Sequence, residues 1–241
     1  MAKDKRVHVP GENRLLAALP KKEYDRLKPL LKPVSLALRE SVYKADEPIN
    51  FVYFPLVGVI SLVITMEDEG TIEVGTIGNE GFVGTPVFLG ADKSPTTAFC
   101  QVPADALRMA ADDFKREVGQ SGPFQDMIRR YTQAVMNQIS QTVACNHLHS
   151  VQERMCRWLL MTHDRAGGDE FLLTQEFLAQ MLGVRRPSVS VVAGILQQAG
   201  LIQYHRGRMT VLKREGLEEG ACECYAVVKK EFDRLLGSEG T

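Results

Sequence analysis

The sequence predicts an α+β fold: an N-terminal antiparallel β-roll or jelly roll, then one long helix, then a C-terminal winged helix-turn-helix. Three observations predict it. Residues 34–109 are cut into short β-rich pieces separated by turn residues, and residues 124–147 run without glycine or proline. From Leu173 onward, two short amphipathic helical patterns flank a glycine and lead into a hairpin pattern. With 241 residues, 44% of them hydrophobic, and 29 basic against 30 acidic side chains, the chain is globular rather than disordered or fibrous.

Asn13 is placed to cap a helical run over 14–19, and after Pro20 the run 21–31 puts Tyr24, Leu27 and Leu31 on one face before Pro33 stops it. The β-rich pieces follow at 51–54, 57–66, 71–74, 97–102 and 106–109. Turn signals stand between them at Asp46-Glu-Pro48, Asp68-Glu-Gly70 and Gly90-Ala-Asp92. In the long helix, Ile128, Tyr131, Val135 and Ile139 recur at three- and four-residue spacing. That stripe suits either a second copy of the chain lying against the helix or burial within its own chain. Ser150 and Glu153 have capping-box spacing, so a new helix starts there, and the domain boundary falls between 1–148 and 149–241.

The C-terminal pattern carries the chemistry. Thr174 caps a helix that begins with Gln175 and turns Leu178, Met181 and Leu182 inward, with Thr174 and Gln175 at its exposed start expected among the DNA contacts; Gly183 supplies the turn. A second helix starts near Arg185 or Arg186 with Pro187 in its first turn, and Val189, Val192 and Leu196 form its buried stripe. Its other face carries Arg185, Arg186, Ser188, Ser190 and Val191. A helix N-terminus bearing two arginines suits the major groove, because arginine pairs bidentately with guanine and the helix dipole favours phosphate. A hairpin over 201–212 then places Arg206 and Arg208 at its tip, the basic wing of such a module. Between Gly183 and Arg214 there are six basic residues and no acidic one, whereas the tail from Glu215 is acidic; near-neutral totals therefore hide a local cationic stripe. The tail is expected to form a further helix with Tyr225, Val228 and Phe232 on one face.

Compartment and class follow from what is missing. The longest apolar stretch, residues 57–64, is far shorter than the roughly 20 residues of a membrane span. The first ten residues lead into polar Gly-Glu-Asn rather than the apolar core of a secretory signal, and five scattered cysteines fit a reducing compartment. A cytoplasmic protein without membrane contact is expected.

The order of β-roll, long helix and winged helix-turn-helix resembles the Crp/Fnr family of bacterial transcription regulators over residues 13–212. The stretches that carry the likeness are Leu173-Thr-Gln-Glu-Phe-Leu-Ala-Gln-Met-Leu-Gly-Val-Arg-Arg186 with Gly200-Leu-Ile202, and Glu73-Val-Gly-x-x-Gly-x-Glu-Gly81. The resemblance implies a homodimer on an inverted-repeat operator, with double-stranded DNA, a second copy and RNA polymerase as partners and a small nucleotide as a candidate effector. It also implies that Arg186 takes the place of the leading base-reading arginine and that Ser188 lies at a phosphate-touching position. Pro187 and Val191 stand where cyclic-AMP-responsive members carry Glu and a second Arg, so a different operator is expected.

In the family's cyclic-nucleotide cassette, which Gly78, Glu80 and Gly81 match, a Gly-Glu holds the ribose and a later arginine holds the cyclic phosphate. Here Thr96, followed by Thr97, stands in the arginine's place, and cyclic AMP binding is not expected. No cysteine precedes Cys100, and no histidine lies between His8 and His147, so neither the family's N-terminal cysteine cluster nor a β-roll histidine site is present. Cys222-Glu-Cys224 with Cys145, His147 and His149 is a conceivable ligand set, but it lacks a matching second pair in the sequence; no metal and no cofactor are expected. An enzyme is the rival class, either a hydrolase using Cys145 with His149, which are four apart, or one using Glu67, Asp68 and Glu69. No third group to orient the imidazole is visible, and no catalytic residue is assigned. A degenerate module that has lost both ligand and specific DNA binding is the remaining alternative.

Overall fold

The computed structural model describes residues 12–67 and 70–237. The residues through Gly11, then Asp68 and Glu69, and the last four residues lie outside it, so the turn expected at Asp68-Glu-Gly70 and the Glu67, Asp68 and Glu69 carboxylate set fall partly outside the described residues. No helix among the described residues is long and apolar enough to cross a membrane.

Two short helices open the chain, α1 (Arg14–Ala17) and α2 (Lys21–Leu27), the latter continued by a 3-10 turn at Lys28–Leu30. Asn13 caps α1 as expected, accepting from the Leu16 amide at 3.2 Å. Its side-chain amide also donates to the carbonyls of Pro55 and Gly81, which ties the cap to the roll. The roll consists of β1 (Lys32–Leu36), β2 (Ser41–Tyr43), β3 (Phe51–Met66), β4 (Gly70–Ile77) and β5 (Thr97–Ala110), with α3 (Thr85–Phe88) in the connection before β5. All pairings are antiparallel in the order β1-β5-β3-β4, with β2 also on β5. The expected pieces 51–54 and 57–66 are one strand of 16 residues, and 97–102 and 106–109 are one of 14. Irregular register between Pro55 and Ile60 lets β3 pass through its proline without ending, which a reading of local breakers could not reveal.

After α4 (Ala111–Val118) comes the long helix α5 (Pro123–Leu148), 26 residues. Of the two fates open to its apolar stripe, burial in its own chain is the observed one for Ile128, Tyr131 and Val135, with Ile139 packed at the edge of the same core. The cause is an aromatic cluster: Phe82 stands 5.3 Å from Phe114 and 5.1 Å from Tyr131 by ring centroids, and Tyr131 meets Phe232 edge-on. Phe232 belongs to the last helix, α10 (Cys224–Leu236), which therefore docks on α5 through Val228 and Phe232.

The second half begins with α6 (Val151–Ala166), whose capping box between Ser150 and Glu153 is formed in both directions. It continues through β6 (Glu170–Leu172), α7 (Gln175–Leu182), α8 (Arg186–Gln198), β7 (Ile202–His205), β8 (Arg208–Val211) and α9 (Arg214–Gly220). The boundary near residue 148 coincides with the α5–α6 break, yet packing crosses it: Val59, Val63 and Val102 of the roll share one core with Leu159, Leu178, Val189 and Leu196. Polar groups cross it as well. Glu73 of β4 accepts from Trp158 Nε1 at 2.8 Å and contacts Ser61 Oγ at 2.7 Å, while Gln101 donates to Thr162.

Ser61 has one hydroxyl proton but faces two acceptors, Glu73 and the side-chain oxygen of Gln101. The chain closes if Glu73 is protonated and donates to Ser61, which then donates to Gln101. Burial favours that state, pushing the Glu73 carboxyl from 4.5 to about 7 against the opposing hydrogen bonds from Ser61 and Trp158. Between these two values the unfolded chain releases this proton and the folded chain keeps it. Glu73 therefore makes stability fall as pH rises through that window, by on the order of 3 kcal/mol in all, with no further loss above it. Urea denaturation at about pH 5 and about pH 8 tests this. Glu73→Gln is expected to lose less stability than wild type between the two, and parallel profiles would mean that Glu73 is ionised in the fold.

Candidate nucleic-acid interface

Thr174 Oγ1 accepts from the Phe177 amide at 3.1 Å and starts α7; Gly183, at φ 61°, ends it. A side chain at 183 would be strained by that backbone and would also meet Ile72 of β4, since an added Cβ would lie 2.6 Å from Ile72 Cδ1. Thus the tight turn and its seating on the roll both require glycine. Helix α7 is held there too: Phe177 meets Phe99 edge-on at 5.9 Å, and the Arg39 guanidinium lies over the Phe177 ring.

Helix α8 buries Val189, Val192, Ala193 and Leu196 and exposes Arg185, Arg186, Ser188 and Val191, the last 63% exposed. Among the described residues Arg186 pairs with Glu176 alone, at 3.9 Å with both side chains largely exposed, a contact worth about 0–1 kcal/mol and easily exchanged for another acceptor. Gln175 and Ser190 behave differently. They hydrogen-bond to each other at 2.6 Å, and Ser190 also reaches the Arg186 carbonyl, so these two brace α7 against α8. Thr174 is committed through its hydroxyl to the cap.

The wing is a three-stranded sheet in the order β6-β8-β7; β6 had no signal in the sequence beyond its three residues. Its tip is a two-residue turn, Arg206 at φ 48° and Gly207 at φ 78°, whose left-handed backbone matches the strand twist. Arg206 is exposed with no ion pair among the described residues. Arg208, the other expected contact, is paired with Glu170 of β6 at 2.6 Å.

The expected effector residues lie elsewhere, on the roll, and other side chains of the fold already occupy the positions beside Gly78, Glu80 and Gly81. Glu80 is buried and paired with Arg165 of α6 at 2.9 and 3.0 Å, and it also accepts from the Gly78 amide. The Arg165 stem covers Gly78 and the Tyr131 ring covers Gly81: an added Cβ would come within 2.5 Å of the first and 2.2 Å of the second. Thr96 bonds Ser94 and Tyr43, and Thr97 accepts from the Ala45 amide, so both are hydrogen-bonded within the roll rather than to Glu80 or Arg165. The residue that fills the cassette, Arg165, gave no sequence signal because it comes from the other half of the chain.

Two family models match: residues 33–121 match the Cyclic nucleotide-binding domain, and residues 153–219 match the Crp-like helix-turn-helix domain. The chain belongs to the Crp/Fnr family of transcription regulators. Its fold is that of a Crp-family transcriptional regulator from Thermus thermophilus (20% identity, 78% of this chain and 96% of that one, TM-score 0.65). A crp/fnr-family regulator from Eubacterium rectale is similar (18%, 86% and 98%, TM-score 0.66). So is the c-di-GMP-responsive global regulator CLP of Xanthomonas campestris (15%, 79% and 98%, TM-score 0.63). No curated protein matches the chain.

Cys145 and His149, the rival hydrolase pair, do not form a dyad. His149 Nδ1 faces Cys224 at 3.5 Å, and Cys145 faces Cys222 at 3.5 Å. Burial pushes the Cys145 thiol up, the reverse of an activated nucleophile. These four residues do come together, and the second pair that the sequence lacked is supplied by the fold.

Because the Glu80–Arg165 pair is buried, removing one partner strands the other charge. Arg165→Met is expected to cost about 3–5 kcal/mol in urea denaturation, and Glu80→Leu with Arg165→Met together to cost much less than the sum of the single changes. Additive losses would show that the two charges do not depend on each other.

Proposed function

We propose that the chain is a homodimeric regulator that reads DNA sequence through the first turns of α8, with the β-roll governed by a small ligand other than cyclic AMP. The observation that carries this reading is the exposed set Arg185, Arg186, Ser188 and Val191 on a helix whose opposite face is core, beside a wing ending in exposed Arg206. The major groove takes such a helix, and the wing reaches the flanking phosphates. Dimerisation falls to the stripe of α5 that the core and α10 leave open. Gln133, Met136, Ser140, Val143 and His147 recur there at three- and four-residue spacing, with Met136 57% and Val143 67% exposed. RNA polymerase is the partner at the promoter, and the protein works where the DNA is, in the cytoplasm. No catalytic step is assigned to it.

Against cyclic AMP stand Thr96 in the place of the phosphate-binding arginine and Glu80 already neutralised by Arg165. The ligand named for the Xanthomonas relative makes cyclic dinucleotides the first class to try.

Selection of bound fragments from random and source DNA at about 150 mM salt, with and without cyclic mono- and dinucleotides, tests the reading. It expects an enriched inverted repeat with half-site centres about one helical turn apart. Uniform, salt-sensitive binding to every fragment would favour the degenerate module. Arg186→Ala is expected to cost about 1–3 kcal/mol and to relax preference at one base pair. Arg206→Ala should weaken all sequences alike and reduce the salt slope by about 1, and Arg208→Ala should do less because Glu170 already holds that guanidinium. Equal loss on specific and random DNA for Arg186→Ala would remove it from base reading.

A further inference from the structure

The C-terminal end of α5 and the start of α10 hold a cluster that the DNA-binding reading does not use. Cys145 and His149 are one helical turn apart at the end of α5; Cys222 and Cys224 flank the first residue before α10. One donor atom from each, three sulfurs and an imidazole nitrogen, lies within 4.8 Å of all the others. The three cysteines are buried and form a cluster of their own, apart from both hydrophobic cores. All are free thiols, and the 3.5 Å between Cys145 and Cys222 sulfurs is well beyond a disulfide bond.

We propose that Cys145, His149, Cys222 and Cys224 form a closed tetrahedral site for a zinc-type divalent cation. Four donors of this kind around one ion at zinc bond lengths stand about 3.5–3.8 Å from one another, close to the 3.5 Å seen for Cys145–Cys222 and for Cys224–His149. An iron–sulfur cluster places its ligands on different irons and spreads them further apart.

The surroundings are those of a metal site rather than of packed thiols. His149 Nε2 pairs with the Glu223 carboxylate at 3.2 Å while Nδ1 faces the sulfurs. That arrangement keeps the proton on Nε2 and leaves the Nδ1 lone pair to bind, as in carboxylate–histidine–metal triads. Gln141 donates an N–H to Cys224 Sγ at 3.1 Å. Binding releases three thiol protons to solvent, and three thiolates against a dication leave one negative charge. Arg154 and Arg157 on α6 are both buried with no ion pair among the described residues, and the charge of Arg157 acts directly on Cys145. Their hydrogen bonds go to neutral groups, Arg154 to the Leu182 carbonyl and Arg157 to Thr142 Oγ1, so both cations are placed to supply the counter-charge such a site needs. His149 remains partly exposed, which gives the ion an entry path.

Full-length protein purified under reducing conditions, stripped of metal and titrated with Zn²⁺ or Co²⁺, tests the site. The expected result is one ion per chain, with a Co²⁺ spectrum showing tetrahedral d–d bands and thiolate-to-metal charge transfer, and a rise in melting temperature on Zn²⁺ addition. Cys145→Ser, Cys222→Ser and Cys224→Ser should abolish all three signals, whereas Cys100→Ala and Cys156→Ala should keep them. A buried cysteine variant can fail to fold, so two further changes carry the test. Glu223→Gln, at an exposed position, is expected to weaken Zn²⁺ binding about 10–100-fold, and His149→Cys to retain Co²⁺ with stronger charge transfer. The proposal is overturned if the folded, reduced wild type takes up no ion. It is equally overturned if uptake survives the three serine variants, or if Cys145 and Cys222 are found joined as a disulfide in that preparation.

Discussion

Glu80 and Arg165 are 85 residues apart in sequence, and neither side chain is more than 8% exposed. A lone buried charge costs several kcal/mol, so each of these groups is tolerable only while the other is in place. The pair therefore fixes where α6 lies on the β-roll. The neighbouring polar contacts, Trp158 to Glu73 and Gln101 to Thr162, share that dependence, because each needs α6 at the same height and rotation. An apolar interface would tolerate a slide of one residue; this one does not.

Since α6 also shares its core with α7 and α8, the position of the recognition helix follows from that contact. The Arg165 stem packs on Gly78 and the Tyr131 ring on Gly81, so a ligand seated against those two glycines would have to move both side chains. A ligand of the kind proposed that displaced the guanidinium from Glu80, or used it as a counter-ion, would change what holds α6. By linkage, whatever such a ligand does to the exposure or angle of α8, bound DNA does in reverse to the affinity for the ligand. Effector control would then need no separate transmission device, because the sensor's acidic residue already touches the DNA-binding half.

What the sequence made legible was local. Thr174, Gly183 and Pro187 each state a backbone requirement within a few residues, so the helix-turn-helix could be placed closely, and Ser150 with Glu153 marked the start of α6. Features built from distant residues were not legible. Pro55 reads as a breaker, and only its partners on β5 show that the strand passes through it. Gln175 and Ser190 carried the residue types of DNA contacts, but their mutual hydrogen bond is a property of the folded pair. The stripe on α5 was read correctly as apolar; what covers it depended on α10, whose docking no spacing could reveal. Cys222-Glu-Cys224 looked like half a ligand set because its other half lies 77 residues upstream, at Cys145.

The 16-residue helix α6, about 24 Å long, is thus constrained near both ends. At its C-terminal end Arg165 is bound into the roll. At its N-terminal end the capping box follows directly on the end of α5, where α10 folds back beside His149. A helix held at one end pivots when the other is pushed; a helix held at both can only switch between whole arrangements. Under the proposed effector control the α5–α6 junction would be as consequential as the glycine cassette, since any response of α8 to a change at Glu80 would depend on whether the far end of α6 is free or clamped. The two arginines that face the cysteine cluster, Arg154 and Arg157, lie in the first two turns of that helix. The charge state of the cluster and the seating of α6 are therefore parts of one electrostatic problem.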